Sequence, residues 1–290
     1  MRYQNDDAGW VAADVSVRAP GLTSRGIVRL ARMRNPWQMC ICIMQDGTAS
    51  LFHSESGMDA WSFLGLSSAK FLDVAVVPND DGVDIPYFVV ERTVRGITRL
   101  NIEAIIDWTP NSTWQYLESS REYNFQTPTN IITGLDHLEG KRVEVVGDGA
   151  FLGNTKVEGG TIRLLDQRGQ KENVVFALVG LPNRAYVRFM PPAKIDPLAQ
   201  SRYSKWGVRT IYSTRPKVRL LGHEEREDAQ RPEDRTTTTP MGTVESLDVI
   251  DNHRFTILGW DLLNVIELEE NLPFRCEIVG VFGLIESNTV

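Results

Sequence analysis

Oxygen and sulfur side chains that could bind a metal occur at two places in the sequence. The segment Asn79-Asp80-Asp81-Gly82-Val83-Asp84 offers several oxygens of the kind that calcium prefers. Its spacing does not match a complete calcium-binding loop, and a solvated hairpin turn explains it as well. Cys40-x-Cys42 could hold a soft metal with Cys276 only if folding supplied a fourth ligand, so buried strand thiols are the simpler interpretation. We therefore predict no metal site.

Residue patterns typical of catalysis are sparse. The sequence has neither a phosphate-binding Gly-Lys-Ser/Thr loop nor a His-Glu-x-x-His pair. Gly65-Leu66-Ser67-Ser68-Ala69 is a distant variant of a nucleophile elbow, and nothing supplies its partner residues. Acids such as Glu269 and Glu270 would cleave a glycosidic bond only if the fold brought two carboxylates together. The histidines form no pair along the sequence; they are His53, His137, His223 and His253. We predict that the protein is not an enzyme and binds no cofactor.

The length and charge limit the classes of function. A chain of 290 residues is long enough for about two domains, each with its own core. The net charge of −7 and the pI of 5.3 argue against tight wrapping of nucleic acid, which needs a surplus of Lys and Arg. In a ring of subunits the same acidic excess would let DNA slide through a negative bore, although solubility alone also explains it.

The sequence also bears on the cellular compartment. No stretch approaches the roughly 18 uninterrupted apolar residues of a membrane span, so we predict no stable membrane insertion. Residues 1–7 lack an apolar signal segment, which argues against export. Cys40 and Cys42 are two residues apart and rarely bridge in that arrangement, so reduced thiols in a cytosol are expected.

The tryptophans suggest one alternative function. A protein that binds or degrades glycans would use aromatic rings and a pair of carboxylates. In β-proteins, however, tryptophans are more often core or interface anchors. The residues concerned are Trp61, Trp108, Trp114, Trp206 and Trp260.

Short segments with alternating polarity dominate the sequence and predict an all-β fold. The apolar run Met39–Met44 ends at Asp46-Gly47, a strong hairpin signal because Gly tolerates positive φ. A second turn is expected at 78–82, between strands at 71–77 and 85–91. These features predict an antiparallel, propeller-blade-like sheet.

The chain is expected to have three parts. Residues 1–35 form an N-terminal arm, residues 36–130 and 193–290 form the propeller-like sheet domain, and residues 131–192 form an inserted small β-barrel module. Within the sheet domain, the polar segment 107–130 is interpreted as a long connection. The candidate strands of the module are 143–146, 161–164, 174–179 and 185–190.

Two charged segments are candidates for intermolecular contacts. Arg25, Arg29 and Arg32 would share one face if the arm were a short helix, although residues 26–30 could equally form a strand. We predict that this arm contacts another subunit, with DNA contact as the alternative. Segment 223–235 is dense in charge and lacks apolar spacing, so we predict a loop that faces a channel or a docking partner. Its acidic residues are Glu224, Glu225, Glu227, Asp228, Glu233 and Asp234.

One block of sequence carries a family resemblance. It starts with Gly134-Leu135-Asp136-His137-Leu138-Glu139-Gly140-Lys141 and continues through Asp148-Gly149, Gly159-Gly160 and Val179-Gly180-Leu181-Pro182. The block resembles a small β-module of the tail nozzle (tail tubular protein B-like) proteins of short-tailed bacteriophages. That module is often likened to the first catalytic-cysteine half-domain of ubiquitin-activating enzymes, but no cysteine lies in this block, so ubiquitin chemistry is not implied. Weaker matches on both sides extend the resemblance over roughly residues 35–285.

The resemblance implies a structural virion protein. We expect a subunit of the tail nozzle or tail-tube ring, which extends the portal–adaptor channel and conducts or gates DNA during ejection. The expected partners are further copies in a homohexamer, the portal–adaptor complex, tail fibre or spike proteins and, transiently, genomic DNA. The expected location is the virion tail, after synthesis in the host cytoplasm.

The resemblance leaves some alternatives open. Family members carry additional N-terminal propeller blades, so either neighbouring subunits complete the sheet or the chain is a minimal nozzle. A different tail-tube or adaptor ring protein, or a tail component that binds or degrades glycans, is the alternative function.

Overall fold

Antiparallel strands make up almost all of the regular structure, which confirms the predicted all-β class. The computed structural model describes residues 2–6, 9–55, 58–66, 69–105, 116–165, 170–190, 200–211, 217–221, 251–255, 265–270, 272–274 and 276–288. Contacts divide the chain into two compact units, Met1–Ser112 and Thr113–Val290. Of the described residues, none belongs to a helix long and apolar enough to cross a membrane.

The first unit contains antiparallel sheets and short helical turns. Its strands are β1 (Arg2–Asp6), β2 (Gly9–Ala13), β3 (Ile27–Met33), β4 (Met39–Met44), β5 (Ala49–Glu55), β6 (Met58–Leu64), β7 (Ala69–Pro78), β8 (Asp84–Val94) and β9 (Ile97–Ala104). A 3₁₀ turn at Ser16–Arg18 and helix α1 at Pro20–Thr23 lie between β2 and β3. The sheets have the orders β1-β2, β3-β4-β5-β6 and β7-β8-β9.

Tight turns join the strands of this meander. The hairpin predicted at Asp46-Gly47 is present between β4 and β5, with Gly47 at a φ of 84°. The turn predicted at 78–82 joins β7 to β8. Between β8 and β9, Arg95 and Gly96 have φ values of 52° and 75°. Positive φ at both central residues matches the twist of the flanking strands, so this turn fixes the register of the β8–β9 hairpin.

One apolar cluster joins the two larger sheets of the first unit. Ile41 and Ile43 of β4 are buried in it, together with Phe71 of β7 and Phe88 of β8. The two Phe rings lie 4.8 Å apart. Burying one such side chain contributes about 1.5–3 kcal/mol. β4 lies between β3 and β5 and is covered on both faces, which explains why its sequence is a continuous apolar run.

A charged pair adjoins this cluster. Arg92 is 4% exposed and lies on the same face of β8 as Phe88 and Val90. Its Nε and Nη2 atoms donate hydrogen bonds to the two carboxylate oxygens of Glu103 on β9, at 2.5 and 2.7 Å. This two-point contact compensates the charge that the guanidinium brings into the apolar layer.

The second unit contains the remaining strands. They are β10 (Leu117–Thr129), β11 (Ile131–Thr133), β12 (Arg142–Gly147), β13 (Ala150–Lys156), β14 (Thr161–Arg163), β15 (Val174–Pro182), β16 (Ala185–Arg188), β17 (Ser201–Ile211), β18 (Lys217–Leu221), β19 (Asp251–Phe255), β20 (Val265–Glu270) and β21 (Glu277–Ser287). A 3₁₀ turn at Asp136–Leu138 lies between β11 and β12. The sheets have the orders β10-β15-β12-β13, β11-β14, β16-β20-β18 and β19-β17-β21.

The strands predicted at 143–146, 161–164 and 174–179 are present as β12, β14 and β15. Side chains from both sheets of this region share one core, which includes Ile132 and Ile162 of the two-stranded sheet and Val145 and Val179 of the four-stranded sheet. The four-stranded sheet is open, with β10 and β13 at its edges, and the described strands form no closed barrel.

Two assignments made from the sequence are wrong. Residues 117–129, interpreted as part of a connection, form strand β10, which pairs with β15. The segment looked like a connection because most of its residues are polar, yet Tyr123 and Phe125 pack against the core from this edge strand. The strand at 185–188 is present, but it pairs with β20 and so belongs to another sheet than β12 and β15.

A smaller core supports the last sheets. Trp206 and Val208 of β17 are buried with Ile266 and Leu268 of β20, and Phe189 packs against them. This cluster joins the sheet of β17 to the sheet of β20, so both sheets share one apolar layer.

We expect Glu103→Ala to destabilise the first unit by about 3 kcal/mol, because Arg92 would lose its carboxylate while its charge stays in the apolar layer. Urea unfolding followed by tryptophan fluorescence measures this loss. The control is Asp73→Ala, which removes the 3.4 Å pair with Arg29, whose side chains are both more than half exposed. An exposed pair contributes about 0–1 kcal/mol, so equal losses in the two variants would contradict the assignment.

Candidate functional site

The arm that carries Arg25, Arg29 and Arg32 is not helical. Arg25 follows helix α1, whereas Arg29 and Arg32 lie on strand β3. Successive residues of a strand alternate between faces, so Arg29 and Arg32, three positions apart, project to opposite sides. Of the two alternatives that the sequence left open, a short helix and a strand, the structure has the strand, so the three arginines do not share one helical face.

Two of these arginines have acidic partners within the chain. Arg25 Nη1 lies 3.3 Å from Asp46 Oδ2, and its guanidinium lies 5.5 Å from the ring centre of Phe63. Arg29 Nε lies 3.4 Å from Asp73 Oδ1. All three arginines are exposed, so a role of this segment in subunit contact stays a prediction.

The acidic loop is the other predicted contact segment. Glu224, Glu225, Glu227, Asp228, Glu233 and Asp234 lie outside the described residues, as does the whole of segment 223–235. Its assignment to a channel or docking surface therefore stays a prediction from the sequence.

The block that begins at Gly134 forms two loops joined by hydrogen bonds. Glu139 accepts hydrogen bonds from the backbone N–H groups of Gly159 and Gly160, at 3.0 and 2.5 Å. Leu135 N–H donates to the carbonyl of Gly160 at 2.9 Å, and Gly140 N–H donates to that of Val157 at 3.0 Å. The motif residues therefore satisfy the backbone of a tight turn, and they hold that turn against the core.

Gly160 shows why this turn needs glycine. Its φ is 66°, and a Cβ atom built there would lie 2.6 Å from Asp136 Oδ1. Any larger side chain would therefore strain the backbone and force the Asp136 carboxylate to move. On the other side of this turn, the Nε2 atom of His137 lies 3.1 Å from the carbonyl oxygen of Ser119. His137 thus links the turn to strand β10.

Asp148-Gly149 closes the β12–β13 hairpin. Both residues have positive φ, 48° and 83°, as a two-residue turn of this type requires. The carboxylate of Asp148 accepts hydrogen bonds from the N–H groups of Val175 and Phe176, with Oδ1 distances of 3.1 and 2.8 Å. The Asp148 carboxylate therefore connects the turn to β15 by accepting hydrogen bonds from its backbone.

The segment considered for calcium is an ordered turn. Asn79 Oδ1 accepts hydrogen bonds from the N–H groups of Asp81 and Val83, at 3.0 and 2.8 Å. Asp84 Oδ2 accepts from the N–H groups of Arg34 and Asn35, at 2.6 and 3.2 Å. No group of three or more His, Cys, Asp or Glu side chains that could hold a metal occurs among the described residues.

A surface hollow of about 380 Å³ lies beside the Asp46-Gly47 hairpin. Lys70 and Glu91, which face each other across β7 and β8, line it together with Asp46. Hydrogen bonds from Thr48, supported by Arg25, lower the pKa of Asp46 below its ordinary value, so Asp46 is ionised at neutral pH. The charged residues of this lining are one lysine and two acids, Lys70, Asp46 and Glu91.

Two buried acids of the second unit, Glu144 and Glu267, are paired with arginines. Glu144 of β12 is 1% exposed, and its Oε1 atom accepts a hydrogen bond from Arg184 Nη2 at 2.6 Å. Glu267 of β20 accepts one from Arg188 Nη2 at 2.9 Å. Each arginine compensates the buried carboxylate, so these acids have a structural role.

Two of the tryptophans considered for glycan binding are used inside the protein. Trp61 Nε1 donates a hydrogen bond to the carbonyl of Val15 at 3.0 Å, and its ring packs against Phe52. Trp206 is 3% exposed and lies in the core. Trp108, Trp114 and Trp260 lie outside the described residues.

The cysteines occupy two different environments. Cys40 is partly exposed and Cys42 is buried, both on one face of β4, whereas Cys276 lies in the second unit. Burial and the nearby Glu270 raise the pKa of Cys276 to about 12. The sequence predicted buried strand thiols and missed that Cys40 lies directly opposite Arg32 of β3. That pairing depends on the hairpin register, which the sequence did not specify.

Apolar side chains are exposed along two edge strands. On β9, Ile97, Leu100 and Ile102 are 56%, 65% and 77% exposed. The exposed residues of β21 are Val279, Val281, Phe282, Leu284 and Ile285. In the described sheets each strand has one neighbour, β8 for β9 and β17 for β21. Such an edge presents both backbone groups and apolar surface to another strand.

No known protein-family model and no curated protein matches the chain. The candidate surfaces are therefore defined by the chain itself. They are the two apolar edges and the charged segments, whereas His137, Glu139 and Asp148 of the block that begins at Gly134 contact backbone groups of neighbouring segments.

We expect Glu139→Ala to destabilise the second unit by about 1.5–3 kcal/mol, because two N–H groups of the Gly159-Gly160 turn would lose a charged acceptor. Glu158→Ala is the matched control, since Glu158 precedes the same turn but its side chain is 74% exposed and pairs with the exposed Lys156. Chemical denaturation measures both. Amide hydrogen exchange at Gly159 and Gly160 should accelerate only in the Glu139 variant, and a stable Glu139→Ala protein would refute the structural role.

Proposed function

We propose that the chain is a structural subunit of a bacteriophage tail nozzle or tail-tube ring. The ring is a homohexamer that extends the portal–adaptor channel and conducts or gates DNA during ejection. The protein is made in the host cytoplasm and resides in the virion tail, where it also contacts fibre or spike proteins. The resemblance of residues 134–182 to the nozzle module is the basis for this particular family.

The observation that carries an assembly role is the pair of apolar edge strands, β9 and β21. They belong to different units of the chain, so a contact between β9 of one copy and β21 of the next is heterologous. Heterologous contacts close into a ring when the rotation between copies fits, and otherwise extend as a filament. Pairing the two edges would cover the exposed Leu100, Ile102 and Leu284 and would satisfy both rows of backbone groups.

The polar residues of the motif block also favour a structural role. Glu139 and Asp148, which are acids that could serve catalysis in another setting, are engaged by backbone N–H groups of neighbouring loops. Their hydrogen bonds fix the exits of short strands. A rigid frame with precise loop positions is what a ring subunit needs, because small errors in angle accumulate around the ring.

The test of this proposal is the oligomeric state. Size-exclusion chromatography with light scattering measures the mass of the purified protein, and negative-stain imaging follows its binding to a portal–adaptor complex. A sixfold ring, formed alone or only on that complex, supports the proposal. A protein that stays monomeric and does not bind the portal–adaptor complex overturns the proposal. Assays of glycan binding and depolymerisation would then be the next step.

We expect Ile102→Lys and Leu284→Lys to reduce assembly at least tenfold, because each places a charge on an apolar edge. The control is Thr98→Lys, which adds the same charge on β9 at a position that is already polar and exposed. The measurement is the assembled fraction as a function of protein concentration. Near-ultraviolet circular dichroism checks that each variant remains folded. Unchanged assembly in both apolar variants would show that these edges do not form the contact between copies.

We expect substitution of the six acids Glu224, Glu225, Glu227, Asp228, Glu233 and Asp234 by Lys to slow DNA ejection. A positive loop in the bore would attract phosphates that a negative loop repels. The matched control replaces the same residues with Gln or Asn, which removes charge without reversing it. The measurement is the ejection kinetics of assembled virions. Unchanged kinetics in the Lys variant would show that the loop does not line the bore.

A further inference from the structure

Three aspartate–glycine pairs lie in the turns of described hairpins. They are Asp46-Gly47 between β4 and β5, Asp81-Gly82 between β7 and β8, and Asp148-Gly149 between β12 and β13. All three aspartates are exposed, and the three glycines have φ values of 84°, 74° and 83°. The pairs are therefore alike in sequence and in position, and they differ in the contacts of their carboxylates.

Two of the three carboxylates are held by hydrogen bonds. Asp46 Oδ1 accepts hydrogen bonds from the N–H and the hydroxyl of Thr48, at 3.0 and 2.6 Å, and Asp46 Oδ2 lies 3.3 Å from Arg25 Nη1. Asp148 Oδ1 accepts hydrogen bonds from two backbone N–H groups of β15, at 3.1 and 2.8 Å. Such bonds to a charged acceptor fix the orientation of each carboxylate.

The carboxylate of Asp81 has no such anchor. The backbone N–H of Asp81 donates to Asn79 Oδ1 at 3.0 Å, but within the described part of the chain no hydrogen bond or ion pair engages its carboxylate. A Cβ atom built on Gly82 would meet no described atom within 4 Å, whereas one built on Gly47 would lie 2.7 Å from Lys70 Cβ. The side chain of Asp81 is thus free to rotate, and the backbone beside it has open space.

We propose that Asp81 is a site of isoaspartate formation, and that the hydrogen bonds of Asp46 and Asp148 protect the other two pairs from the same modification. The proposal is independent of the ring function, because it rests only on the geometry of the three turns.

The reaction is a cyclisation followed by hydrolysis, and it requires no reagent other than water. The backbone nitrogen of Gly82 attacks Cγ of Asp81, a C–N bond forms, and the carboxyl hydroxyl leaves as water with the amide proton. Water then adds to the main-chain carbonyl carbon of the resulting succinimide, and the bond from that carbon to the Gly82 nitrogen breaks. The chain now runs through Cβ and Cγ of Asp81. Glycine at the second position favours the attack because it has no Cβ to hinder it.

The contacts of the carboxylate control the first step. The carboxyl group must turn towards the following nitrogen, and it must be protonated so that water can leave. At Asp46 the hydrogen bonds from Thr48 hold the group in place and lower its pKa, so the neutral form is scarcer. Gly82 N–H donates to Asn79 O at 2.9 Å, but Gly47 N–H donates to a carbonyl in the same way at 3.0 Å, so this bond does not distinguish the two turns.

The modification would disturb a contact between two segments of the first unit. Asn35 Nδ2 donates a hydrogen bond to the carbonyl of Gly82 at 2.8 Å, and Asp84 Oδ2 accepts one from Arg34 N–H at 2.6 Å. Isoaspartate adds one carbon to the main chain between Asn79 and Asp84, so the turn can no longer match both partners. Amide hydrogen exchange at Arg34 should therefore be faster in the modified fraction.

The experiment is incubation of the full chain in ¹⁸O-enriched water at mildly acidic pH. Each hydrolysed succinimide gains one ¹⁸O atom, and the three pairs fall on different tryptic peptides, so mass spectrometry follows them in one sample. Because a hydrogen bond to a charged group must break first, labelling at Asp46 and Asp148 should be roughly tenfold slower than at Asp81. In urea the three sites should react alike. Methylation by an isoaspartate-specific methyltransferase identifies the new linkage.

Substitutions separate the site from its neighbours. Asp81→Glu should abolish the label on its peptide, because the larger ring closes slowly, and Asp81→Asn should react faster, because ammonia leaves without prior protonation. Thr48→Val removes one donor and should accelerate labelling at Asp46. Circular dichroism verifies the fold of each variant. Native labelling at Asp81 that is no faster than at Asp46 and Asp148 overturns the proposal, as does a label that persists in Asp81→Glu.

Discussion

The register of the antiparallel hairpins determines which side chains meet in both units. Side chains alternate along a strand, so a slip of one residue would exchange the core face and the outer face of every strand it affects. The turns at Asp46-Gly47, Arg95-Gly96 and Asp148-Gly149 prevent that slip, because each requires positive φ at a defined position. The burial of Phe88, the Arg92–Glu103 pair and the position of Cys40 opposite Arg32 all depend on these registers.

Buried charges follow from the same alternation of faces. Arg92 lies on the core face of β8 after Phe88 and Val90, whereas Glu144 and Glu267 alternate with core residues and project from the opposite faces of β12 and β20. An oppositely charged side chain of another segment compensates each. The partners of Glu144 and Glu267 are separated from them by many residues in sequence. These pairs therefore depend on correct pairing of distant strands and disfavour alternatives that leave a charge buried.

The sequence predicted the all-β class and those strands whose ends are marked by turn residues. The hairpins at Asp46-Gly47 and at 78–82 were predictable because both their turn chemistry and their apolar runs are local. Strand β10 was missed because an edge strand with one exposed face can be mostly polar, and the alternation of Tyr123 and Phe125 was its one local signal. The pairing of β16 with β20 joins residues about eighty positions apart, and local patterns do not encode such a partner.

For the candidate sites, local sequence was informative only where the chemistry is itself local. The turn residues of the block at Gly134 are visible in the sequence, but the role of Glu139 depends on a turn twenty residues away. The spacing of Arg25, Arg29 and Arg32 was compatible with a helix and with a strand, and the neighbouring β4 favours the strand because its apolar run needs a partner on each side.

The edge strands β9 and β21 expose apolar side chains that the described contacts within each unit do not cover. An exposed strand edge is usually protected by charge, proline or a bulge, because it otherwise pairs with other chains. β21 is eleven residues long, carries acids only near its ends, at Glu277 and Glu286, and has a register shift at Val279 in its pairing with β17, so residues 281–285 contain neither charge nor proline. β9 contains Arg99 and Glu103, but Glu103 is engaged by Arg92 and its opposite face carries Leu100 and Ile102. The proposed contact between copies follows from this exposure, because pairing the two edges would bury apolar side chains that the described residues leave exposed.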